Sequence, residues 1–302
     1  MNGKHLILSN FWIKIIAMVT MAFDHVGVFL TGFYASTTTA FAVGTIFRYV
    51  GRIAFPLFVF LLVEGIVKSK NPRKYVLRIA YMWLGITVAE SILFAMVRAG
   101  VSFADSITPF VTANAFTDLV CIASALYFLT KETGNRRALA ILPIAGLALS
   151  SAFNIAGHYG YVDGVFAYYP AFLRADYGIY GLLLGLGYYY AKPLAAKLAD
   201  KAFLYAESED EEILRKRQSL ENVLSASAAV LVIGIFAIVA LIDARLSPTL
   251  AYISGQTFAL IAVFFLFLYS GRRGYDAKWF RYVTYFFYPV HIIIIGLIFL
   301  LI

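Results

Sequence analysis

The sequence predicts an all-α, polytopic membrane protein of about nine transmembrane helices, with a cytoplasmic N-terminus and an outer C-terminus. Three observations lead there. Of the 302 residues, 62% are apolar and 14% charged, against roughly 45–50% and about 25% in a soluble domain. Mean hydropathy is +0.80, and the apolar residues gather into runs of the ~20 residues that a bilayer crossing needs. Basic residues, finally, concentrate in the linkers on alternate sides of those runs. Together these exclude the soluble two-domain enzyme that length alone suggests, and a disordered chain.

The runs follow in order. The first, 11–34, carries Asp24 and His25 and lacks a small-residue cleavage pattern, so it is expected to be a span and not a cleavable signal peptide. The second, 43–67, holds Arg48, Arg52 and Glu64; the third, 75–97, holds Glu90. The fourth, 113–130, is short and contains Asp118 and Cys121. The fifth covers 137–157, and the sixth, 174–191, is rich in Gly and Tyr with Asp176 near its start. The last three are 223–243, 249–269 and 282–302, the final one carrying His291. All belong to one expected domain, 1–302, with 192–222 as a charged cytoplasmic insert. Within that insert Glu211 with Arg215 and Glu212 with Lys216 fit i,i+4 pairing on a solvated helix. The aromatic loop 158–173 has the composition of an interfacial belt, which it favours over a re-entrant wall.

Orientation comes from the basic residues. Placing the loops alternately, 20 of the 25 Lys and Arg fall on one side, and only Arg98, Arg174 and Arg245 on the other, with Arg48 and Arg52 inside a span. Such a bias marks the cytoplasmic side. The net charge of +8 therefore reads as topology and not as a nucleic-acid footprint. A bacterial inner membrane is the expected location. One cysteine, no HExxH and no CxxC exclude a disulfide framework and make a metal site unexpected. The phosphate-binding patterns GxxxxGK[ST] and GxGxxG are absent too.

Ionisable groups inside a span are costly and are functional candidates. At about 1.5 Å per residue, His25 lies about 16 Å beyond Lys14, Arg52 about 13 Å beyond Val43, and His291 about 15 Å beyond Arg281. Asp24, His25, Arg52 and His291 thus fall in one midplane layer. A neutral imidazole there suits proton abstraction from an amine or hydroxyl. Asp24 points about 100° away from His25 on a helix, so the group that orients His25 must come from another helix. Asp24 is expected either to pair with Arg52 or Arg48 or to act in catalysis directly. His291 either donates to a carbonyl or joins the site. Glu64 is expected to pair with Lys68, while Glu90 has no partner that the sequence names. The same buried charges suit a proton-coupled transporter or flippase, although no repeated pair of interrupted spans marks one. A non-catalytic assembly factor is the third class.

Several runs taken together resemble a known family: Phe23-Asp24-His25-Val26-Gly27, then Gly51-Arg52-Ile53-Ala54-Phe55-Pro56-Leu57-Phe58 with Glu64-Gly65, Asn114-Ala115-Phe116-Thr117, Asp176-Tyr177-Gly178 and Tyr288-Pro289-Val290-His291. The chain resembles the TraX family, whose namesake is a conjugative-pilin N-acetylase. More distantly it is similar to the wider transmembrane acyltransferases, including the lysosomal enzyme that acetylates heparan glucosamine. The resemblance implies acetyl transfer from cytoplasmic acetyl-CoA to an amine or hydroxyl on a glycan, peptide or envelope polymer. It makes His25 catalytic, either as a general base or by taking the acetyl itself in a two-step route, with Asp24, Arg52, Asn114 and His291 in or beside the site and Asp176 and Tyr177 on the substrate side. Arg52 or Asn114 would stabilise an oxyanion. The coenzyme's phosphates would meet Arg73, Lys74, Arg136, Arg137, Arg272 and Arg273 at the cytoplasmic mouths of the spans, where Lys70 is offered too.

Overall fold

The structure, a computed structural model, describes residues 6–100, 114–158, 174–202, 211–246 and 255–301. Lys4, all of the aromatic loop but His158, residues 203–210 of the charged insert and 249–254 of the eighth expected span lie outside them. The described residues are helical: α1 (Asn10–Phe33), α2 (Thr39–Gly51), α3 (Ala54–Lys68), α4 (Pro72–Arg98), α5 (Ala115–Lys131), α6 (Ile141–His158), α7 (Ile179–Ala202), α8 (Glu211–Leu246), α9 (Ile261–Phe267) and α10 (Lys278–Leu301). Short 3₁₀ turns at Gly134–Ala140 and Gly255–Leu260 precede α6 and α9. The extended pairing among the described residues is a single bridge between Leu8 and Tyr269.

Six segments among the described residues are long and apolar enough to cross a membrane: Asn10–Phe33, Thr39–Lys68, Pro72–Leu93, Gly134–Gly157, Glu211–Val239 and Lys278–Phe299. The chain is thus an integral membrane protein of helical build. Three other expected segments fall short of that standard. Helix α5 has 17 residues, α7 carries Lys192, Lys197, Asp200 and Lys201 in its second half, and the eighth is divided into a 3₁₀ turn and the seven-residue α9. The expected insert 192–222 is helical at both ends among the described residues. Lys192 to Lys201 continue α7, and α8 begins at Glu211 and runs unbroken through the apolar stretch. Acidic residues in its first turn suit the helix dipole, and the expected pairs Arg215–Glu211 and Lys216–Glu212 form at 2.7 Å each.

The second expected span is also broken, at Arg52–Ile53, where the chain turns between α2 and α3. Pro56 explains this. In a continuous helix its ring would clash with the carbonyl of residue 52 and remove the bond to it. Helix α3 beyond the break is buried nearly all round, from Ala54 to Ile66, as expected for a helix apolar on every face.

Contacts divide the chain into two compact units, residues 1–61 with 186–302, and residues 62–185. In the first unit the chain before α1 hooks onto the segment between α9 and α10. Asn10 and Phe11 donate their backbone N–H groups to the Arg272 and Arg273 carbonyls, which satisfies donors that a helix start leaves open. Asn222 of α8 donates to the Tyr269 carbonyl at 2.6 Å, and Lys192 pairs with Glu221. Helices α1 and α2 pack closely through glycine: a Cβ on Gly27 would stand 2.6 Å from the Gly44 carbonyl oxygen, and one on Gly51 would collide with Asp24. Gly51→Ala is therefore expected to cost about 1–3 kcal/mol and to lower the melting temperature in detergent by several degrees. An unchanged melting temperature would mean that the two helices stand further apart.

In the second unit Trp83 of α4 donates to Thr117 of α5 at 3.0 Å. Glu64, 1% exposed, pairs with Lys68 one turn on, as the spacing predicts. Gly65 leaves room for the Tyr75 ring.

Candidate functional site

In the first unit the structure brings together the four residues of the expected midplane layer. Asp24 and His25 come from the middle of α1, Arg52 from the break before α3, and His291 from α10. Arg52 is 5% exposed, and its guanidinium stands 3.5 Å from Asp24 Oδ1. This is the expected ion pair between the first and second spans, longer than a hydrogen bond. Asp24 Oδ1 takes no hydrogen bond among the described residues.

The two histidines are in direct contact, 2.8 Å from His291 Nε2 to His25 Nδ1, with the rings edge to face. Their partners fix both tautomers. His291 Nδ1 lies 2.6 Å from the Phe287 carbonyl oxygen, which only accepts, so that nitrogen carries the hydrogen. In a neutral ring the other nitrogen, Nε2, is then a lone pair. His25 Nδ1 faces this lone pair and also the Met21 carbonyl oxygen at 3.0 Å. Facing two acceptors, it must carry a hydrogen as well, and His25 Nε2 is left as a basic lone pair. The orienting group expected from another helix is thus His291, and its donation to a carbonyl and its contact with His25 occur together. Phe287 stacks on the His291 ring at 4.6 Å and 14°, and Tyr288 stands edge-on to His25 at 5.9 Å. Pro289 lies inside α10 and cannot donate to the Tyr285 carbonyl.

The other motif residues sit in the second unit and hold a loop. Asn114 caps α5: its Oδ1 accepts from the Phe116 backbone N–H at 2.8 Å, and its Nδ2 donates to Glu90 at 3.0 Å. This supplies the partner that Glu90 lacked in the sequence. Asp118, fully buried, accepts from the backbone N–H groups of Asp176, Tyr177 and Gly178 at 2.7, 3.1 and 2.6 Å. Asp176 and Tyr177 are thus ordered through their backbone, and the Asp176 side chain is exposed. Gly178 has φ +55, and a Cβ there would collide with Ser151. Ser151 Oγ accepts from the Ile179 N–H at 2.9 Å, and Ser150 Oγ from the Ala175 N–H at 2.8 Å. Asn154 Nδ2 donates to the Ala175 carbonyl at 3.1 Å. Ser150, Ser151 and Asn154 are polar positions in an apolar run, the one sequence signal that marked them.

The TraX protein family matches residues 9–206, about two thirds of the chain. The chain belongs to the TraX family. The chain is also 27% identical over 294 residues to a Dichelobacter nodosus protein named as a probable fimbrial assembly protein, FimC of serogroup H1, covering 96% of this chain and 95% of that one. No solved structure matches.

The six cations of this TraX chain expected to meet coenzyme phosphates divide by what they already touch. Arg136 stands 3.9 Å from Glu132, Arg272 3.3 Å from Glu211, and Arg273 3.3 Å from Asp276. Arg73, Lys74 and Arg137, all exposed, have no ion pair among the described residues. The Tyr127 hydroxyl donates to Glu132 at 2.6 Å. Among the described residues no group of three His, Cys, Asp or Glu is placed to hold a metal ion.

Proposed function

We propose that the protein is an acetyl-CoA-dependent acetyltransferase of a bacterial inner membrane, with His25 as its base near the bilayer midplane. The observation that carries this is the tautomer of His25 set by its contacts, which leaves Nε2 as a lone pair. Topology completes the proposal: one domain of nine spans, N-terminus cytoplasmic and C-terminus outside, resting on the 20-to-3 distribution of basic residues. The donor thus enters from the cytoplasm, and the acceptor is an amine or hydroxyl on a glycan, peptide or envelope polymer. The relative's fimbrial name makes a pilin-type amine the first acceptor to try.

In the reaction, Nε2 takes a proton from the acceptor as its nitrogen or oxygen bonds the thioester carbon. The C–S bond then breaks, and the proton passes on to the leaving sulfur. Arg52 is the oxyanion donor of this proposal, because the Asn114 amide is committed to Glu90 and to the Phe116 N–H. Asp24 holds Arg52 in place. Arg73 and Arg137, which have no carboxylate partner among the described residues, take the coenzyme's phosphates, whereas the equally unpaired Lys74 lines a separate groove with Lys70 and Arg78.

Thermal-shift titration of the detergent-purified chain with acetyl-CoA tests this. A ligand bound by the folded state at a hundred times its Kd adds about 2.7 kcal/mol, a rise of several degrees. The expected result is a saturable rise, weakened in Arg73→Ala/Arg137→Ala. No rise at millimolar acetyl-CoA would sink the proposal. The relative's name favours one competing account, a non-catalytic assembly factor, and that account predicts the absence of a shift.

A further inference from the structure

One face of α4 carries a pattern that acetyl transfer does not use. Lys70, just before the helix, is followed by Lys74, Leu77, Arg78, Tyr81, Leu84, Val88 and Ile92, every one of them exposed. Steps of three and four residues keep these positions on a single stripe. At its head, Lys70, Lys74 and Arg78 line a groove with Ser69, Asn71 and Tyr81. The three cations have no carboxylate partner among the described residues, whereas the cations of α8, from Arg215 to Arg217, are all ion-paired. They also crowd the positive end of a helix dipole whose first turn has no acidic residue, an arrangement that an anion would relieve.

Below the cations the stripe turns wholly apolar. From Arg78 to Val88 it runs about 15 Å, the depth of one leaflet of a ~30 Å hydrocarbon core. Gly85 interrupts it with open space, since a Cβ there would meet nothing within 4 Å, so a chain can lie in the notch. A nucleotide or pantetheine arm would need hydrogen-bonding groups along this stretch, and the stripe offers hydrocarbon apart from the Tyr81 ring.

We propose that this face is a binding site for an anionic phospholipid, with its phosphate held by Lys70, Lys74 and Arg78 and one acyl chain lying along Leu77, Tyr81, Leu84 and Val88. The site is independent of the acetyl-transfer proposal and stands or falls by lipid retention.

The test is native mass spectrometry of the full chain, released from nanodiscs of equal phosphatidylglycerol and phosphatidylethanolamine. The wild-type protein is expected to retain phosphatidylglycerol in preference. Lys70→Gln/Lys74→Gln/Arg78→Gln is expected to lower that preference at least about tenfold, since each interfacial cation is worth roughly fivefold in anionic-lipid attraction. The comparison variant Lys131→Gln/Arg136→Gln/Arg137→Gln, all at exposed side chains and with the same loss of three charges, should keep it. Equal preference in wild type and triple variant would overturn the site, and so would equal loss in the comparison variant. Release of the lipid by millimolar inorganic phosphate or adenosine 3′,5′-bisphosphate would also overturn it, by assigning the cations to a soluble phosphate. If the triple variant does not purify, the single variants Lys70→Gln and Lys74→Gln, both at exposed side chains, decide the matter. Each should lose about twofold or more of the preference, and retention at the wild-type level in both would refute the site.

Discussion

His25→Ala is expected to lower acetyl transfer by about 10²- to 10⁴-fold, the range that removal of a positioned general base produces. His291 sets the tautomer of its neighbour. Its Nδ1–H is given to Phe287, so its Nε2 accepts, and His25 must therefore present Nε2–lone pair and Nδ1–H. His291→Gln keeps a group able to accept from that N–H, whereas His291→Ala leaves the Met21 carbonyl as the acceptor. His291→Ala is expected to lower kcat by about tenfold with little change in KM for acetyl-CoA, and His291→Gln to recover part of that loss. Radiolabelled acetyl transfer to amine acceptors, with parallel melting curves, separates chemistry from folding. A folded His25→Ala protein with undiminished turnover would rule His25 out as the base. Lost stability without lost chemistry would favour the assembly-factor account, and lost proton-coupled uptake the transporter account.

Asp118→Ala should act on folding instead, and strongly. The carboxylate accepts three backbone N–H groups while fully buried. Its removal leaves those donors unsatisfied away from water, each at a cost of about 1–3 kcal/mol, so a loss of at least about 3 kcal/mol is expected overall. Asp118→Asn retains one acceptor oxygen and should fall between the two. Melting temperature and purified yield in detergent provide the readout. A variant that melts with the wild type would show that the 176–178 turn is held by something other than this side chain.

Asp118 also illustrates where sequence reasoning stops. As a lone acid in an apolar run it is indistinguishable from a catalytic carboxylate, and its partners lie about sixty residues away on the backbone, which has no side-chain signature. Asn114 is similar. Its cap on α5 was readable from local chemistry, but its bond to Glu90 was not. Pro56 is the opposite case: the break at Arg52–Ile53 follows from proline geometry alone, and hydropathy averaging hid it inside one apolar run. The cations of α7 and α8 mark solvent by their charge density, but not where either helix ends.

The sequence by itself determined what depends on short-range order and on the bilayer. These are the helical class, six of the apolar runs long enough to cross a membrane, the Glu64–Lys68 and Glu211–Arg215 pairs, and the grouping of Asp24, His25, Arg52 and His291 as neighbours along their helices. Helical rise and hydrophobicity are local properties, so they survive translation into three dimensions. Tertiary packing alone decided which of these groups touch. The rotation of α10 against α1 selects His291 as the partner of His25, across 266 residues of chain. The glycine contact of α1 with α2 brings Arg52 to within 3.5 Å of Asp24. Depth along a helix is a matter of counting residues, but rotation about its axis depends on how neighbouring surfaces interlock, and no single segment contains that information.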